Sequence, residues 1–182
     1  MRRYIMCLLL LLSIVVFPFS GLADTPKLEG PYLVTTCGQS PGAVMVRMSA
    51  LQAGVRAEHD NTLDASGLSG KDVRTLIVTT GTSMKGMGAA GTNVDKEIAR
   101  CSELIAAAKA AGIVVVGAHV EGMARRTDSS DEASIEAVMK DADVLLVIDD
   151  SDSDGYFTEY ARKHEKPLIK IKDALAIGPV LK

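Results

Sequence analysis

The chain lacks most of the patterns by which a chemical site shows itself in sequence. No H-E-x-x-H pair and no cluster of cysteine with histidine occurs, and only three of each residue are spread over 182 positions, so zinc has no ligand set with usable spacing. Basic residues are not in excess: 20 Lys and Arg stand against 23 Asp and Glu, a net charge of -3, which argues against nucleic acid as a partner. There is no Walker pattern, because Lys85 precedes the nearby glycines instead of following them. Internal repeats, low-complexity tracts and long linkers are absent too, so one domain accounts for the chain.

What is present first is an export signal. Arg2 and Arg3 precede an unbroken apolar run from Ile5 to Phe17, shorter than the roughly 20 residues of a membrane span. Pro18 and Gly21 break the run, and Gly21-Leu22-Ala23 places small residues where a signal peptidase reads. The expectation is a signal peptide over residues 1–23, cleaved after Ala23, and a periplasmic or extracellular protein. Removing 23 residues from 182 leaves 159, and losing the two arginines moves the charge from -3 to -5. A single α/β domain over residues 24–182 is long enough to build its own core. An oxidising compartment would allow Cys37 and Cys101 to pair. However, Cys101 falls in register with Val94, Ile98, Ile105 and Ala108 on one helix face, which favours a buried free thiol.

Short apolar runs alternate with helical segments, the pattern of parallel α/β architecture. Strands are expected at Tyr32–Thr36, Arg56–Asp60, Arg74–Thr80, Ile113–His119, Asp143–Asp149 and Pro167–Ile171. The third and fourth are continuous and β-branched, as strands covered on both faces are, and the polar second reads as an edge. Helices are expected after Ser40 as cap, over Asn93–Ala111, over Asp131–Lys140 after a cap at Ser130, and over Gly155–His164. The fold class is a three-layer, doubly wound, Rossmann-like or flavodoxin-like sandwich with a mainly parallel sheet of five to six strands.

In such sheets ligands bind beyond the carboxyl ends of the strands, where strand order reverses. The stretch T79-TGTSMKGMGAAGTNV-D95 lies there and contains Gly86, Gly88 and Gly91 as G-x-G-x-x-G. The dinucleotide fingerprint requires its first glycine at the end of the first strand and a helix opening inside the motif. Here the strand ends near Thr80 and the helix opens only at Asn93, so the fingerprint fails. The glycines suit instead a loop whose backbone amides favour an anion. With Gln39, Ser40, Thr80, Thr82, Ser83, Lys85, Gly86, Gly88, Arg125 and Arg126 as contacts, the leading expectation is an exported protein holding a small anionic solute, served by an envelope transporter or sensor.

Two other chemistries have candidate residues. Asp150, Asp152 and Asp154 alternate before Gly155 like the opening half of a calcium loop, although position twelve is Ala161. Cys37 or Ser40 with His119 offers a nucleophile and a base for a hydrolase or transferase. A third expectation is an envelope protein-interaction module. The segments TTCGQS, TSMKGMGAAG, GAHVEGMARR and SDGYFTEYARKHEKPL together resemble a family of small exported bacterial proteins catalogued only as a domain of unknown function. That resemblance implies export and a single α/β domain, and no catalytic role.

Overall fold

Among the described residues five apolar runs become strands of one sheet, which a short polar strand joins at its edge. The computed structural model describes residues 27–182, so the signal segment and the cleavage position at Ala23 lie outside the described residues. The strands are β1 (Tyr32–Cys37), β2 (Ala57–His59), β3 (Thr75–Thr80), β4 (Val114–His119), β5 (Val144–Ile148) and β6 (Leu168–Ile171). They pair in the order β2-β1-β3-β4-β5-β6, all parallel. β3 and β4 are central and buried on both faces, whereas the three-residue β2 lies at the edge.

Among the described residues seven α-helices complete three layers. α1 (Gly42–Gln52) and α7 (Ile177–Val180) cover one face, where Ala43, Val46, Ala50 and Ile177 meet Val34, Ile77, Val116 and Leu146. α2 (Ala65–Leu68), α4 (Val94–Ala110), α5 (Ser129–Met139) and α6 (Tyr156–Lys163) cover the other, where Leu104, Ile105, Ile135, Met139 and Phe157 meet Leu33, Leu76, Val115 and Leu145. α3 (Met84–Ala89) follows the third strand. Alternate residues of every central strand therefore enter opposite cores, which is why these strands read as unbroken apolar runs.

Three local expectations change. Ser40 does not cap α1: Pro41 holds the cap position without a side-chain bond, and the Ser40 hydroxyl lies 3.3 Å from that of Thr36. The stretch read as a glycine loop contains α3, capped by Ser83, whose hydroxyl accepts from the Gly86 amide at 3.1 Å. α5 begins at Ser129 with Asp128 as its cap, because the carboxylate accepts from Ser130 and Asp131 amides at 2.9 and 3.0 Å. Asn93 caps α4 as the sequence suggests. Among the described residues no helix is long and apolar enough to cross a membrane.

Candidate functional site

Strand order reverses between β1 and β3, so the expected crevice lies between the loops that follow them. The structure fills it with its own backbone. Gln39 and Thr82 form an antiparallel bridge, and the Ser83 amide donates to the Gly38 carbonyl at 2.8 Å. α3 then lies so close that a Cβ on Gly86 would run into the Gln39 carbonyl. Gln39 itself is held at φ 57, a left-handed conformation that costs a non-glycine residue energy. Gly86 thus serves a contact within the protein, while Lys85 and Gly88 are exposed.

The amides that such a crevice would offer to an anion already have carboxylates. Glu121 accepts from Gly42 at the start of α1 at 2.8 Å, and its second oxygen accepts from Arg125 Nε at 3.1 Å. Arg125 also donates to the Thr82 carbonyl at 2.7 Å. Asp131 accepts from the Thr82 amide and hydroxyl at 2.8 and 2.7 Å. Burial pulls its pKa up, but these bonds and those from Thr127 outweigh that and hold it below the ordinary value. Glu97, 3% exposed, accepts from the Gly38 amide, the Gln39 side chain and Arg100. The positive ends of backbone dipoles are satisfied by internal anions.

The residues named for nucleophilic chemistry are equally committed. Cys37, Ser40 and His119 are at most 1% exposed. One signal the sequence reading passed over is Gly38-Gln39-Ser40-Pro41-Gly42, which has the letters G-x-S-x-G at a strand-to-helix turn. An elbow exposes its serine beside a base, and this turn does neither. His119 sits on β4, two strands from β1, about 10 Å of lateral spacing. Its Nε2 donates to the Gly122 carbonyl at 3.2 Å, so its Nδ1 accepts from the Thr80 hydroxyl at 2.8 Å. Burial pushes its pKa down to about 4, leaving a neutral ring with no free nitrogen. Cys37 and Cys101 are free, buried thiols.

The three aspartates after β5 point to different tasks. Asp150 accepts from the Met123 amide at 3.0 Å. Asp152, 2% exposed, accepts from the Phe157 and Thr158 amides at 2.7 and 3.1 Å, from the Thr158 hydroxyl, and from Lys170. Asp154 takes a fork from Arg126 at 2.9 and 3.0 Å, which brings its pKa down to about 2. Among the described residues no group of three or more His, Cys, Asp or Glu is arranged to hold a metal ion.

A concave surface among the described residues lies between α5 and α6, to the side of the crevice between β1 and β3. It is a groove of about 860 Å³, within the range of small-ligand sites. On the α6 side, Tyr156, Tyr160 and His164 recur every fourth residue, with ring centroids 6.3 and 4.3 Å apart along the series. The Arg126 guanidinium closes one end, 4.3 Å above the Tyr156 ring. On the α5 side, Glu132, Glu136 and Lys140 recur at the same spacing. Burial raises both phenol pKa values, and Glu136 adds to the shift at each ring, as expected of a carboxylate facing both rings. Only Arg126 of this set was named from sequence. The signal available was the double recurrence at i, i+4 and i+8, which places residues on one helix face.

The fold and this arrangement define a parallel α/β protein with a sealed strand edge and a lateral groove. The chain belongs to the family described as Domain of unknown function (DUF6305), whose model matches residues 29–182. No curated protein matches it. Two crystal structures are similar to it in fold. One is the "putative acylhydrolase" of Bacteroides fragilis NCTC 9343, with 9% identity, 81% of this chain and 72% of that chain covered, and a TM-score of 0.36. The other is the psychrotrophic esterase EstA of Pseudoalteromonas sp., with 7% identity, coverage of 83% and 92%, and a TM-score of 0.35. At these values the likeness carries no argument about activity.

Proposed function

We propose that this is an exported binding protein whose ligand occupies the groove between α5 and α6. One contrast carries the reading. At the strand ends most polar groups are consumed by internal partners, whereas the side chains of Glu132, Glu136, Lys140 and Lys163 along the groove have no hydrogen-bond or ion-pair partner among the described residues. A concave surface with one aromatic wall and a few uncommitted polar groups has the features of a small-molecule site. Export rests on the apolar run Ile5–Phe17 behind Arg2 and Arg3. This reading moves the ligand from the strand edge to the side of the sandwich.

The test is native mass spectrometry of the protein purified gently from its own host, before and after denaturation. An excess mass that denaturation releases is expected for the wild type and not for Tyr156→Ala/Tyr160→Ala. A bare polypeptide mass for the wild type, or an excess that the double variant keeps, counts against the groove.

A further inference from the structure

The groove has a direction. α5 and α6 each follow a strand of one parallel sheet, so they run side by side in the same sense. Glu132 therefore lies at the end where Tyr156 begins α6, Glu136 follows one turn on, facing both Tyr156 and Tyr160, and the two ammonium groups, Lys140 and Lys163, lie towards the end where α6 finishes. The other charged groups of the groove are internally paired: Arg126 with Asp154, and Arg162 with Glu159. The uncommitted charges thus change from acidic to basic along the groove, with Tyr156 at the acidic end and Tyr160 between the two signs.

From this layout we infer that the ligand is a short peptide lying along the groove, its terminal ammonium at Glu132 and Glu136 and its terminal carboxylate at Lys140 and Lys163. The inference rests on the groove being the binding site. Glu132 and Lys140 are eight residues apart, about 12 Å along a helix at roughly 1.5 Å per residue. An extended chain advances about 3.3–3.6 Å per residue, so three to four residues span the two charged halves. The Tyr160 ring gives apolar area and a hydroxyl group to the stretch between the termini, as tyrosine does at recognition surfaces. An ammonium also gains from lying near aromatic rings. An anion alone would satisfy only the basic half, and an organic cation alone only the acidic half.

Titration with trialanine, N-acetyl-trialanine and trialanine amide, followed by tyrosine fluorescence in this tryptophan-free chain, tests both ends separately. Trialanine should bind, and acetylation or amidation should each weaken it on the order of tenfold, the loss of about 1.4 kcal/mol at one charged end. In Glu132→Gln/Glu136→Gln acetylation should have no further effect, while amidation keeps its own. In Lys140→Gln/Lys163→Gln the pattern should reverse. All four side chains line the groove surface, so these variants are expected to fold. The inference is overturned if trialanine does not bind, if acetylation leaves affinity unchanged, or if each variant is insensitive to the opposite modification. If trialanine fails while the species released from the native protein contains no amino acids on acid hydrolysis, the peptide is wrong and the groove stands. If trialanine fails and the wild type carries nothing, both fall.

Discussion

His119 shows how far a residue's chemistry is set by where its strand ends. It was legible as a polar residue closing an apolar strand, and sequence offered it as a base; the structure makes it a buried, neutral hydrogen-bond bridge between Thr80 and Gly122. That role has a pH signature. Its folded pKa of about 4 lies below the ordinary 6.5, so between these values the unfolded chain binds more protons. Its contribution is complete above pH 6.5 and is lost as pH falls to about 4, a change of about 3 kcal/mol. Denaturant titrations at pH 7 and pH 4.5 should show this loss for the wild type and a flatter dependence for His119→Gln. Asp131 and Asp152 have pKa values below the ordinary 3.8, so their contributions persist to lower pH and are lost in a separate, more acidic window. An equal fall in both proteins between pH 7 and 4.5 would remove His119 from the explanation.

At the scale of elements, five strands were legible as apolar runs, the sixth as a short polar edge, and four long helices as periodic segments, although of the caps read from sequence only Asn93 holds its place. α3 was not, because T82-SMKGMGA-A90 contains two glycines, each of which costs a helix about 1 kcal/mol relative to alanine. Its helix forms because Ser83 caps it and because Gly86 can press against Gln39, a contact 47 residues apart that no local pattern reveals. Gly86→Ala separates propensity from packing. Propensity alone makes the substitution stabilising, whereas the collision with the Gln39 backbone should destabilise by about 1–3 kcal/mol, read from the denaturation midpoint. A stabilised variant would show that α3 moves freely away from β1. Asp152 likewise belongs to an element, since its carboxylate holds the first turn of α6. Asp152→Ala should cost about 1–2 kcal/mol. Because that carboxylate is consumed, melting temperature should be the same with calcium and with chelator; a rise with calcium would reopen a metal site there.

For the whole molecule, sequence placed the polar loops at one end of the sheet correctly, and the inference from that end to a ligand site is where it ran out. Glu97, Glu121 and Asp131 come from α4, from the turn after β4 and from α5, and only the folded topology brings them to Gly38, Gly42 and Thr82. The groove was missed for the complementary reason: its two walls are unremarkable charged helix faces until β5 sets α5 beside α6. The most direct measurement is an amide and aromatic NMR map of the protein with and without the dialysable fraction of its host's extract. Shifts confined to α5 and α6, with Tyr156, Tyr160 and His164 moving together, are the expected result. Shifts centred on Gly38–Ser40 and Thr80–Gly86, with the groove unmoved, would contradict the account and return the ligand to the strand edge.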